Sequence, residues 1–116
     1  MINVSFEAEK KTVTMTVTGH AKSAEAGRDL ICAAVSALVI TLAQNARFLE
    51  ARKMLKEAPG IVLAEGASEV TCTAKTKESF RDVIYTYHVI QRGMMVLAHN
   101  YPQYIAVKTF GETETS

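Results

Sequence analysis

Thr12-Val13-Thr14-Met15-Thr16-Val17-Thr18 alternates a threonine with an apolar residue at every step. A strand turns successive side chains to opposite faces, so Val13, Met15 and Val17 make one apolar face and the threonines the other. Upstream, Ile2, Val4 and Phe6 alternate with Asn3, Ser5 and Glu7 with the same period. The polar run Glu9-Lys10-Lys11 between them supplies a turn. The chain is therefore expected to open with an antiparallel hairpin whose one face is buried.

Gly19 ends the second strand and His20 follows at its exit. Residues 20–28 show no period and read as a loop. From Asp29 the pattern becomes helical, with a helix expected over residues 29–56 and closed by Pro59-Gly60. Asp29 is a candidate N-cap or first-turn acid, and Arg47, Arg52, Lys53 and Lys56 place positive charge where the helix dipole favours it. Two more strands are expected over 61–64 and 69–75, around Glu65-Gly66-Ala67-Ser68. A second helix over 77–100, capped by Thr76, stops ahead of Pro102, and a last strand covers 104–110. The order ββαββαβ predicts an α+β fold, one mostly antiparallel sheet packed with two long helices. No repeat or linker interrupts it. Residues 1–110 read as a single domain and 111–116 as a polar tail.

The 116 residues are 48% hydrophobic and 22% charged, enough to bury a core without staples. The net charge is +1 and the lysine pairs are short and mixed with other types, so no direct nucleic-acid partner is expected. The chain opens on strand alternation rather than on a basic segment and an apolar run, so no secretory signal is expected. The apolar stretch 30–43 is short for a bilayer span, and no membrane partner is expected either. Cys32 and Cys72 could bridge in principle; the expected setting is the cytoplasm, with both thiols reduced.

Over its first three turns the first helix is apolar almost all the way round, which predicts burial on more than one side. Asp29, Cys32 and Ser36 are the exceptions, and at i, i+3 and i+7 they share a face. Cys32 is expected in the first turn, where unpaired backbone N–H groups and the dipole favour a thiolate. A helix terminus is worth about 0.3–1 kcal/mol, against about 1.4 kcal/mol per pKa unit, so position alone does not ionise a thiol at neutral pH. A nearby imidazolium supplies the rest. His20 is the candidate, because it leaves the strand that feeds this helix. The N–H groups at the same helix start are candidates for an oxyanion hole.

This arrangement resembles the ribosomal-processing cysteine protease family, Prp. The matching residues are Gly19-His20-Ala21, then Gly27-Arg28-Asp29, then Cys32-Ala33-Ala34-Val35-Ser36-Ala37-Leu38. The family pattern has a Gly-His-Ala start, a loop, a Gly-x-Asp step and a cysteine segment ending in serine. The element order agrees as well, so the similarity is expected to span residues 2–110. The resemblance implies a cofactor-free cysteine endopeptidase with a His20–Cys32 dyad, working as a homodimer. It implies removal of a short N-terminal extension from a large-subunit ribosomal protein, cut after a pair of phenylalanines; a phage-borne relative would trim a structural protein. Asp29 would hold the active-site segment, Gly19 would give the histidine its backbone freedom, and Ser36 would support the cysteine. Lys22-Ser23-Ala24-Glu25-Ala26 lacks the aromatic residue and second glycine found in many family loops.

The remaining candidates read as structural. Cys72, between Val70 and Ala74 on the inward phase of a strand, is expected in the core. His88 and His99 share roughly one helix face, too far apart for a compact metal motif, and no metal site is expected. The second helix is also apolar beyond one stripe, which adds to the expectation of a symmetric dimer. Two other readings of Cys32 stand beside the peptidase: a small residue in a non-enzymatic α+β protein-binding module, or the reactive thiol of a redox protein.

Overall fold

The computed structural model describes residues 1–19 and 28–111, the side chains of Arg28 and Asp29 excepted. β1 (Ile2–Glu9) and β2 (Thr12–Thr18) form the expected hairpin, antiparallel with Val4 opposite Val17 and Phe6 opposite Met15. Lys10 takes a left-handed conformation, φ 57°, in the turn. Val13 and Met15 are fully buried. The threonine face is used across strands as well. The Thr12 and Thr73 hydroxyls hydrogen-bond at 2.9 Å and those of Thr14 and Thr71 at 3.2 Å, which helps fix the register between β2 and β4 (Ala67–Thr73).

β3 (Gly60–Ala64) pairs antiparallel with β4, and β5 (Ile105–Lys108) pairs parallel with β1. The sheet order is β3-β4-β2-β1-β5, and the order along the chain is ββαββαβ, as the sequence predicts. β4 starts two residues earlier than expected, because the Glu65-Gly66 turn, with Gly66 at φ 79°, closes directly on the Ala64–Ala67 pair. It also ends earlier: the Ala74 amide donates to the Lys11 carbonyl at 2.8 Å and that of Lys75 to Met54 at 2.9 Å. β5 is shorter than expected for a similar reason. The Phe110 amide donates to Gln91 Oε1 at 3.0 Å, and its ring packs on Phe6 and His88.

α1 (Arg28–Ala51) and α2 (Lys77–Asn100) cover the other face of the sheet. α1 buries Ile31, Val35, Val39, Leu42, Ala46 and Leu49 against it. By length and composition Leu30–Ala51 could cross a membrane, contrary to the sequence expectation. The buried stripe instead makes it the core helix of this domain. α1 packs on both the sheet and α2, but it is not enclosed all round: Leu30, Ile40 and Phe48 on its outer side are each at least half exposed.

α1 ends at Ala51 rather than near Lys56, and its last turn carries no basic residue. Lys53, at φ 61°, donates its amide to Glu50 and Met54 donates to Leu49, the paired bonds of a left-handed helix stop. The stop frees Leu55 to bridge Ala74. A side chain in this conformation costs about 1–2 kcal/mol that glycine avoids. Lys53→Gly is expected to stabilise the protein by about 1 kcal/mol, read as a higher urea midpoint with an unchanged slope.

α2 matches its expected bounds. Thr76 caps it, its hydroxyl accepting from the Ser79 amide at 3.0 Å while Ser79 Oγ accepts from the Thr76 amide at 2.9 Å. Val83, Tyr87, Ile90 and Met94 face the core. The helices approach closely at Gly93, where an added Cβ would come within 3.0 Å of Leu38 Cδ2, and Asn45 Nδ2 donates to Thr86 Oγ1 at 2.7 Å. The buried Tyr87 hydroxyl donates to the Val70 carbonyl at 2.9 Å. Burial, with the Cys72 thiol alongside, pushes the Tyr87 phenol well above its ordinary range. The folded protein thus keeps this proton while an unfolded chain releases it near pH ~10. Tyr87 therefore contributes stability below that pH and loses it above. Urea midpoints at neutral and alkaline pH are expected to fall less steeply for Tyr87→Phe than for the parent.

Candidate active site

Of the residues singled out in the sequence, Gly19 and Cys32 are described, and both lie at one end of the sheet. Gly19 follows β2 at φ 91°, and its amide donates to the Gly66 carbonyl at 3.1 Å, tying the exit of β2 to the β3–β4 turn. A Cβ at Gly19 would collide with the Met1 carbonyl oxygen. Glycine is required here both for its torsion and for the space. His20 and Gly27 lie outside the described residues, as does the rest of 20–27.

α1 is already helical at Arg28, which places Cys32 as the fifth described helical residue. Cys32 therefore sits in the second turn, not the first. Asp29 is inside the helix and is not its cap.

The Cys32 side chain is half-buried and packs against the core. Ser36, one turn on, is exposed, and among the described residues no hydrogen bond joins its hydroxyl to the thiol. Leu38 and Asn45 mark the flank of α1 that meets α2. By helical rotation Cys32 and Ser36 point away from that flank. α2 packs over β1, β2 and β5, whereas α1 packs over β4, so the free flank of α1 looks toward the β3 edge.

The end of α1 is anchored at the other extremity of the strands, where the Lys56 amide donates to Thr73 at 2.9 Å. The helix start, held down by the fully buried Ile31, therefore lies at the Ala64–Ala67 end. Gly19, the β3–β4 turn and Cys32 share this end. A half-buried, solvent-reachable thiol at this end of the sheet is a candidate nucleophile.

Both cysteines are free thiols. Cys72 is in the core, as its strand phase predicts, and burial pushes its thiol up, with the Tyr87 hydroxyl only partly opposing. It is sealed from any substrate, which leaves Cys32 as the accessible sulfur. His88 packs on Phe110 and His99 is exposed in the last turn of α2. Among the described residues no cluster of His, Cys, Asp or Glu side chains is arranged to hold a metal.

The family model for cysteine protease Prp matches residues 1–106. The chain belongs to the cysteine protease Prp family. SMU.848 from Streptococcus mutans, known from its crystal structure, is 27% identical with a TM-score of 0.65, the alignment covering 95% of this chain and 94% of that one. The essential ribosomal processing protease Prp from S. aureus, in complex with a covalently linked product peptide, is 18% identical at a TM-score of 0.67, covering 94% and 99%. The same protease with a substrate peptide gives 16% and 0.65 over the same shares. These last two likenesses establish a shared fold. A search of curated proteins returned no match. For a member of the Prp family, Cys32 is the thiol that the fold leaves accessible.

Proposed function

We propose that this protein is a cytoplasmic, homodimeric cysteine endopeptidase that removes a short N-terminal extension from a large-subunit ribosomal protein, or trims a related phage structural protein, cutting after an aromatic pair. The observation that carries the reading is the Prp family match over residues 1–106, which spans every residue assigned a role.

Cys32 supplies the nucleophile and His20 the base. The imidazole takes the thiol proton as sulfur attacks the scissile carbonyl, then protonates the leaving amine as the tetrahedral adduct collapses to a thioester. Water, deprotonated by His20, releases the acid product and returns the thiol. Backbone N–H groups at the start of the helix that carries Cys32 would hold the oxyanion. Gly19 sets the direction of the segment that enters His20, while Asp29 and Ser36 support the loop and the helix flank around Cys32. No cofactor takes part.

Dimerisation is supported by apolar side chains left in solvent along both helices. Leu30, Ile40 and Phe48 line the outer side of α1, and Tyr85, Val89 and Val96 that of α2. A surface of this kind is the usual mark of a protein interface.

The test is incubation with a synthetic peptide containing a Phe-Phe pair, read by mass spectrometry. Cleavage after the pair, lost in Cys32→Ala and in His20→Ala with both variants folded, supports the reading. Cleavage that survives in both, or none by the parent, overturns it. Iodoacetamide labelling of Cys32 separates the rivals: a rate no faster than a free model thiol favours the binding module, and fast labelling without cleavage favours a redox thiol.

A further inference from the structure

We propose that the outer edge of β3 is the substrate track: an extended apolar peptide segment adds to the sheet beside β3 and runs along it toward Cys32. This deepens the peptidase reading and rests on it for the nature of the peptide.

β3 is a terminal strand of the sheet, and among the described residues no strand pairs with its outer side. An open edge presents unpaired N–H and C=O groups, and proteins ordinarily blunt such an edge with charge, proline or a bulge. Gly60-Ile61-Val62-Leu63-Ala64 has none of these. Val62 and Leu63 are 52% and 55% exposed. The opposite edge is unlike it: β5 carries the exposed Lys108, and the chain beyond is drawn off the sheet by the Phe110–Gln91 bond. The β3 edge is thus the one kept bare.

Its backbone polarity can be read from the turn. A two-residue connection closes on a hydrogen-bonded pair, here Ala64 and Ala67. Alternation along an antiparallel ladder then turns Gly60, Val62 and Ala64 toward β4 and leaves the amides and carbonyls of Ile61 and Leu63 facing outward. These are donors and acceptors at strand spacing, which an extended backbone matches and a helix or a folded surface does not. The side chain of Leu63 shares a sheet face with Ile61 and Val70, the face that α1 covers, and so offers apolar contact on the side of the thiol.

Direction follows from the fold. Cys32 is on the flank of α1 that looks toward β3, and at the Ala64 end of that strand. A peptide laid along the edge therefore has one terminus leading to the sulfur. Main-chain bonds would supply affinity and the apolar shelf selectivity, a division that suits recognition of a flexible terminal extension.

The test uses Cys32→Ala protein, which binds without turnover, and a synthetic peptide containing a Phe-Phe pair. Backbone amide exchange followed by NMR is expected to slow at least tenfold at Ile61 and Leu63 on saturation, with Val62 and Ala64 unchanged. In that background Leu63→Pro, which removes one outward donor where proline is sterically tolerated, is expected to weaken binding at least tenfold, and Leu63→Ala less than threefold. Methylating alternate peptide amides repeats the test without altering the protein and should weaken binding with a period of two residues. Peptide that binds with no change at Ile61 and Leu63, or equally well to Leu63→Pro, overturns the proposal, as does absence of binding. Protection that grows with protein concentration alone, a second copy on the edge, overturns it as well. If the peptide binds with the expected alternation but the parent never cleaves it, the peptidase reading falls and the edge assignment stands.

Discussion

Cys32→Ala is expected to lower kcat/KM for a cleavable peptide by at least about 10³-fold, about 4 kcal/mol of transition-state stabilisation. The size follows from what is removed. Without sulfur there is no thioester, and the remaining amides and binding contacts accelerate only the direct attack of water. Cys72 cannot substitute, since it is 1% exposed within the sheet core and its thiol is pushed up by burial. His20→Ala is expected to cost about 10²- to 10⁴-fold, the range for loss of a general acid–base group. Because both substitutions disable the same proton-coupled attack, the double variant should be little worse than the worse single one. Steady-state kinetics on the four proteins checks this, with circular dichroism confirming that each is folded. Additive losses in the double variant would show that the imidazole and the sulfur do not act as a unit.

Gly19→Ala is expected to destabilise the fold by about 2–3 kcal/mol. A left-handed alanine costs about 1–2 kcal/mol on its own. The Cβ also runs into the Met1 carbonyl, so the first residue has to move while the Ile2 amide holds its 2.8 Å bond to Tyr104. For a domain of this size the loss corresponds to a fall in Tm of roughly 8–15 °C. Activity measured well below the new Tm is expected to drop as well, because the torsion at Gly19 aims the chain entering residue 20. A variant with parental Tm and parental kcat would remove Gly19 from any special role. A variant that is destabilised but fully active at low temperature would leave it a purely structural one.

Much of this fold could be read from the amino-acid order, and the exceptions have physical causes. β2 and α2 match their expected limits residue for residue. In β2, TVTMTVT has one period over its whole length, and in α2 Thr76, Ser79 and Pro102 mark both termini chemically. The end of α1 was not legible, because the left-handed stop falls on Lys53, a residue type that carries no mark of that conformation. The early start of α1 had the same effect at its other end and moved Cys32 into the second turn. Pairing partners are invisible to periodicity, so the parallel β1–β5 ladder and the bare β3 edge emerged only from the sheet order. At the candidate site, the sequence singled out Gly19 and Cys32, and the fold brings them to one end of the sheet. The flank from which Cys32 is approached could not be read, since that depends on where α2 packs.

The β1–β5 ladder sets a condition on biosynthesis. Ile2 lies beside Ile105 and Val4 beside Val107, so strands from opposite extremes of the described chain are side by side. During translation the hairpin and α1 can collapse early, but the sheet stays one strand short until codons past 108 have been read and the ribosomal tunnel has released them. A chain stalled before that point would present the bare margin of β1 to chaperones and proteases.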